Sequence, residues 1–224
     1  MRFKVMTFNI RHGRGMDHVV SLRRVAEVIR REKPHFLGIN EADKFNIRSF
    51  FTHQPKILSR LLDMHHCFGQ NLRLWLAGYG NAVLSRLKLQ SFQNLHLPSQ
   101  REQRGCLHTL IETGREQISF LVTHLGLDRE ERRKQIHFLA ALVEKIKNPL
   151  ILTGDFNCEG EELLPLLGKL KLASRSFPTY PAGEPVAAID HILCSHHFRV
   201  IDSYVVPTNA SDHRPVVALL ERVD

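Results

Sequence analysis

Along this chain, polar side chains of catalytic type recur just beyond short apolar runs: Asn9, Glu41, His124, Asp155 with Asn157, and, on a loop, Asp212 with His213. Carboxylates and carboxamides are hard oxygen ligands, suited to Mg2+ or Mn2+ rather than to structural zinc, which prefers cysteine and histidine. Hydrolysis of a phosphoester needs a cation against the phosphoryl oxygens, an ionised base beside the water and donors for the developing charge. This set of residues contains all three. Each residue alone has a plainer reading: Asp155 as a cap, His124 as a structural histidine, Asn9 as the end of a strand. Asp190 sits between apolar neighbours in AAIDHIL, where an unpaired buried carboxylate is costly, so it requires a specific partner.

The elements that position these residues read as short apolar strands alternating with amphipathic helices. Phe3 to Phe8 predicts a strand stopped at Asn9. Leu22, Val25, Ala26 and Ile29 predict a helix capped at Asp17 and closed by Pro34. His35 to Ile39 predicts a buried strand delivering Asn40 and Glu41 at its end. Gln54 to Met64 reads as helix, and His66 to Glu112 as strands broken at Gly78 and Gly80, with a loop from Ser99 to Gly105. Further strands are expected at Ile118 to Val122, Leu150 to Leu152, Ala188 to Cys194, Arg199 to Val206 and Pro215 to Leu220. Helices are expected at Arg129 to Lys147 and Glu161 to Leu172. About ten strands and four helices imply an α/β (α+β) fold of two packed sheets with helices outside.

Composition sets the bounds. The 224 residues, 43% hydrophobic and 24% charged, suffice for a sizeable core, exclude disorder and are read as one domain, 1–224. The formal charge of +8 is concentrated early: residues 1–115 carry 19 basic and 8 acidic side chains, whereas residues 116–224 carry 12 and 15. An anionic partner such as nucleic acid, a membrane surface or phosphate is one reading of that excess, and a solubilising surface is the other.

The dispersed cysteines Cys67, Cys106, Cys158 and Cys194 read as reduced thiols. Neither a signal peptide nor a transmembrane run is evident, so a soluble, cytoplasmic protein is expected. One Trp and three Tyr give few stacking platforms, and no clustering of exposed aromatics is evident. Gly13-Arg14-Gly15 matches neither a P-loop nor a dinucleotide fingerprint. His65-His66 and His196-His197 read as surface pairs rather than zinc ligands, and the ERRK run as a solvated helix face.

The blocks TFNIRHG (7–13), NEAD (40–43), GNAVLSR (80–86), THLGL (123–127), GDFN (154–157), IDHIL (189–193) and SDHRPV (211–216) resemble, in order and spacing, those of the endonuclease/exonuclease/phosphatase superfamily of DNase I-like phosphoesterases. The resemblance spans nearly the whole chain and implies a four-layer α/β/β/α sandwich of two packed mixed sheets flanked by helices. By motif, it implies a metal site of Asn9, Glu41 and Asp212 for Mg2+ or Mn2+, with Glu41 a direct ligand. Asp155 would deprotonate the attacking water, Asn157 would hold the water or the phosphate, and His213 would donate to the phosphoryl oxygen. Asp190 would orient His213, and His124 would contact the phosphate or assist the leaving group. Arg11, His12, Asn81, Arg86 and Arg104 are the expected substrate-binding residues. Asn40 replaces the family's usual Gln before the glutamate. An Asn-x-Tyr-x-Pro block, associated with abasic-site endonucleases, is missing.

A metal-dependent phosphodiesterase is therefore expected. Nucleic acid stands slightly ahead of a lipid head group, inositol phosphate or small phosphodiester as the substrate. A non-catalytic anion- or nucleic-acid-binding module is the alternative of another class. No protein partner can be inferred.

Overall fold

A computed structural model of the chain describes residues 1–114 and 116–223. In one sheet the strands run β11-β12-β1-β2-β4-β3, and in the other β5-β6-β7-β8-β10-β9. Their ranges are β1 Arg2–Asn9, β2 Phe36–Lys44, β3 His65–Leu74, β4 Ala77–Ser85, β5 Leu89–His96, β6 Gly105–Glu112, β7 Gln117–His124, β8 Leu150–Asp155, β9 Leu170–Leu172, β10 Asp190–Ser195, β11 Phe198–Val205 and β12 Val216–Arg222. The helices are α1 Leu22–Glu32, α2 Gln54–Leu62 and α3 Arg129–Lys145. The expected four-layer sandwich is the observed one.

Each sheet holds one parallel pair, β1 with β2 and β7 with β8; the other strand pairings are antiparallel. Parallel neighbours need a crossover, which α1 supplies in the first sheet and α3 in the second. Open α/β sheets bind ligands outside the carboxyl ends of such strands. Here those ends are Asn9 opposite Asn40 in one sheet and His124 opposite Asp155 in the other.

Between the sheets lies a dry layer that includes Phe3, Phe36, Val83, Phe120, Val122, Ile151 and Ile192. A second cluster, with Met6, Phe8, Val25, Ile29 and Leu37, seats α1 and α2 on the outer face of the first sheet. A third, with Leu121, Ile136, Leu139, Val143 and Leu152, seats α3 on the second. The alternation of these strand residues between inner and outer clusters follows the period-two pleat.

Several expectations are corrected. Ser21, not Asp17, caps α1: its hydroxyl accepts from the Arg24 N–H at 3.3 Å, while Asp17 pairs with the Arg24 side chain at 2.6 Å. The strand after α1 does not stop at Ile39; β2 continues to Lys44 through an irregularity between Ile39 and Ala42. Gly78 and Gly80 lie inside β4 rather than breaking it. At Gly80 a Cβ would lie 2.0 Å from the Gly69 carbonyl oxygen, so the close approach of β3 requires glycine there. The predicted helix over 161–172 is only a 3-10 segment, Gly160–Leu166, followed by the short strand β9. Pro165 has no N–H to continue an α-helical ladder. Among the described residues there are thus twelve strands and three α-helices. The aromatic reading also fails: Phe45, Phe50, Phe51 and Trp75 all stand exposed.

Candidate active site

Asp155 ends β8, and its position depends on the glycine before it. Gly154 has φ +152°, and a Cβ there would lie 1.9 Å from the Thr123 carbonyl oxygen. Three donors converge on one oxygen, Asp155 Oδ2. The Asn9 amide donates to it at 2.9 Å, His124 Nε2 lies at 3.5 Å and His213 Nε2 at 3.7 Å. The other oxygen accepts the Asn157 N–H at 3.0 Å. Burial, and then the charge of Asp190, raise the Asp155 pKa above the usual carboxylate range.

The two histidines are in opposite states. Arg104 stands 3.2 Å from His124 Nδ1, and a guanidinium can only donate. Nδ1 is therefore the acceptor, and the single ring proton is on Nε2, facing Asp155. Burial and the Arg104 charge hold the His124 pKa well below its ordinary value, so the ring is neutral. His213 donates from Nδ1 to Asp190 Oδ2 at 2.9 Å, and the same oxygen accepts the Thr179 hydroxyl at 2.6 Å. Burial opposes charge on His213, but Asp190, assisted by Asp155 and Asp212, outweighs it and raises the pKa to about 10. The Tyr180 ring packs against this imidazolium, with centroids 4.8 Å apart. The buried partner that Asp190 requires is thus present.

Glu41 occupies the irregular stretch of β2 with φ +58°, a left-handed backbone that is uncommon away from glycine. Its carboxylate accepts the Asn9 amide at 3.0 Å and lines the cleft with Asp212. Burial is the main reason its pKa is raised, and the Asp212 charge adds to this. Two carboxylates facing one half-buried cleft form a donor set suited to a hard divalent cation, which would offset their negative charge. Asp155, Asp190 and His213 also bring ligand-type atoms within 4.8 Å of one another. There, however, the shared hydrogen bond between Asp190 and His213 already occupies the facing atoms, so the trio is a proton-holding chain.

The cleft has a volume of about 580 Å3 and is lined by Glu41, Arg104, His124, Asp155, Asn157, Asp212 and His213, among others. Other expected residues lie elsewhere. The Asn9 oxygen accepts the Arg11 N–H at 3.1 Å, so Asn9 meets the two carboxylates as a donor. Arg11 pairs with Asp212 at 3.2 Å. His12 does not line the cleft; burial and nearby arginines lower its pKa to about 4. Asn81 is buried between the sheets, accepting from Asn40 and donating to the Gly105 carbonyl, both at 2.9 Å. Arg86 sits past the far end of β4, donating to the Pro34 carbonyl at 3.0 Å.

The structure adds residues that the motifs did not assign. Asn40 accepts the Asp155 backbone N–H at 3.0 Å and donates to Asn81 and to the Thr123 carbonyl, tying the two sheets together at the site. Its signals in the sequence are its place beside Glu41 and its standing where the family usually has Gln. Thr179 and Tyr180 lie in a stretch without sequence pattern, and Tyr79 and Arg48 form a further wall of the cleft.

The Endonuclease/Exonuclease/phosphatase family profile matches residues 6–213. Comparison with curated proteins gives no match. Among solved structures, the chain is similar to an endonuclease/exonuclease/phosphatase from Beutenbergia cavernae, with TM-score 0.83 and 24% identity over 99% of this chain and 72% of that one. It is also similar to a mannosyl-6-phosphatase of Bacteroides thetaiotaomicron, with TM-score 0.76 and 18% identity over 99% and 100% of the two chains. A humanized D. rerio TDP2 gives TM-score 0.79 and 12% identity over 98% and 99%.

Proposed function

The chain belongs to the endonuclease/exonuclease/phosphatase family, and from that premise we propose that it is a divalent-metal-dependent phosphoesterase that hydrolyses a phosphodiester by in-line attack of water. The observation that carries this reading is the convergence of Asn9, His124 and His213 on Asp155 Oδ2. Glu41 and Asp212 would hold the cation, Mg2+ or Mn2+. Bound there, it supplies positive charge against the phosphoryl oxygens.

Asp155 takes the proton of the attacking water, and its raised pKa makes it a stronger base than an ordinary carboxylate. The Asn9 amide keeps that carboxylate aimed at the cleft. Protonated His213, braced by Asp190, donates to the phosphoryl oxygen as negative charge grows. Neutral His124, whose Nε2 proton stands only loosely against Asp155 Oδ2 at 3.5 Å, turns that proton to the phosphate when substrate is bound. Asn157, its amide fixed to the Leu125 carbonyl at 2.9 Å, flanks the water. One P–O bond forms from water, one ester P–O bond breaks, and the released oxygen takes up a proton.

Of the five residues expected to bind substrate, Arg104 alone lines the cleft. This favours a pocket that reads one phosphate over a groove that neutralises several, and so moves the reading away from a nuclease. The test is turnover of bis(p-nitrophenyl) phosphate, p-nitrophenyl phosphate and plasmid DNA with Mn2+ or Mg2+, with and without excess chelator. Diester turnover abolished by chelator is expected. Full turnover in chelator overturns the metal assignment, and binding without any turnover favours the non-catalytic alternative. Salt separates the substrates: DNA binding that falls roughly a thousandfold between about 50 and 200 mM salt would restore the nuclease reading.

A further inference from the structure

Five strongly exposed apolar side chains stand together at one lip of the cleft. In the loop after β2, Ile47, Phe50 and Phe51 are 75%, 73% and 64% exposed, and the β3–β4 hairpin ends on Trp75 and Leu76 at 90% and 85%. The two tips are neighbours, because Lys44 pairs with Gly78 across β2 and β4 and Arg48 lies over the Tyr79 ring at 5.3 Å. Asn46, Arg48, Leu72 and Ala77, from the same segments, line the cleft itself.

The loop holds this shape by construction. Phe50 and Phe51 have φ +57° and +54°, conformations that bulky residues rarely adopt. Their N–H groups are fixed to the carbonyls of Ile47 at 3.0 Å and Asn46 at 2.9 Å, and Arg48 is clamped on buried Asp43 by two hydrogen bonds of 2.9 and 2.8 Å. Local strain that keeps two phenylalanines pointing into water suggests that they have an occupant. The two tips and their stems, residues 44–51 and 70–79, carry Lys44, Arg48 and Arg73 and no acidic residue.

We propose that these two tips dock the protein on an anionic lipid surface, with the cleft opening on the bilayer and a phospholipid head-group phosphodiester as its substrate. Aromatic and aliphatic tips flanked by lysine and arginine are the chemistry of interfacial insertion. A second copy meeting this face symmetrically would bring the same positive charge against itself. The substrate half of the proposal rests on the phosphoesterase reading; the docking half does not. Hydrolysis of such a diester consumes one water and yields a phosphomonoester and an alcohol, without any co-reactant.

The test is co-sedimentation of the full chain, in chelator, with phosphatidylcholine vesicles and with vesicles containing about 30 mol% phosphatidylglycerol. Preferential binding to the anionic vesicles is expected, weakened about tenfold by Phe50→Ser with Phe51→Ser and again by Trp75→Ser with Leu76→Ser, at an unchanged melting temperature. Absence of binding to anionic vesicles, or variants that bind them like the wild type, overturns the proposal. So do variants that lose affinity for an oligothymidylate instead, or that lose a dimer seen by light scattering. In parallel, the wild type is assayed with Mn2+ on bis(p-nitrophenyl) phosphate and on phosphatidylglycerol vesicles. Turnover of the soluble diester without vesicle binding sinks the docking alone. Vesicle binding without turnover of either substrate sinks the phosphoesterase reading alone.

Discussion

Asp155 and His213 are chemically interdependent. Each buried charge is tolerable because the other is near, and Asp190 tips the proton onto the imidazole. Asp155→Asn keeps shape but cannot accept a proton, so kcat on an aryl phosphodiester is expected to fall by about two to four orders of magnitude. His213→Ala should act similarly by removing a donor to the developing charge. Asp190→Asn should fall less, because Thr179 still orients the side chain at position 190. Near-normal turnover in Asp155→Asn would remove it as the base. The types and order of these residues were legible in the sequence because their chemistry is written in their side chains. Sidedness was not. GNAVLSR runs along one antiparallel strand, so Arg86 ends about 20 Å from the glycine that begins the block, at the opposite end of the sheet. Asn81 has the right chemistry but faces between the sheets, where Asn40 and Gly105 use it up.

Among the elements, β2 is the one bent to a purpose. Its irregularity between Ile39 and Ala42 forces Glu41 to φ +58° and sets a half-buried carboxylate beside Asp212. Both features oppose folding. Glu41→Gly relieves the backbone and removes the half-buried charge, so activity should disappear while stability to urea holds or rises by about 1 kcal/mol. A loss of several kcal/mol in that variant would show that Glu41 braces the sheet instead. Such a bulge is hidden from alternation rules, which end a strand where two polar residues follow an apolar run. Alternation therefore ends the strand at Ile39, whereas β2 runs on to Lys44. The 3-10 segment at Gly160–Leu166 misleads for a related reason: its apolar spacing is helical, but Pro165 cannot complete the ladder.

For the whole molecule, buried imidazoles set the response to acid. His12, His108 and His191 are held below their ordinary pKa, chiefly by burial. Between about pH 6.5 and the lower folded values, the unfolded chain binds more protons than the folded one, so stability falls as pH drops through that window. His213 has the opposite sign: raised to about 10, it adds stability that is full below about pH 6.5 and lost as pH rises through about 10. Asp155, raised to about 7, and Glu41 act the other way in this window, but the lowered histidines outnumber them, so thermal unfolding should show a lower Tm at about pH 5 than at about pH 7. A Tm unchanged or higher at the acid value would show that the folded protein takes up protons in this range as readily as the unfolded chain. The bridge from Asn40 to Thr123 and Asp155, with Asn81 beside it reaching Gly105, has a consequence for how such a chain can vary. Hydrocarbon packing alone lets two sheets slide, but this polar seam indexes one against the other, and each sheet carries only part of the reactive set. Substitutions on the two sheets should therefore be epistatic. The combined loss in Asn9→Ala with His124→Ala is expected to depart from the sum of the single losses by a measurable margin, since both act through one oxygen of Asp155. A lineage that alters one sheet's face is then confined to the few changes the other sheet already accommodates.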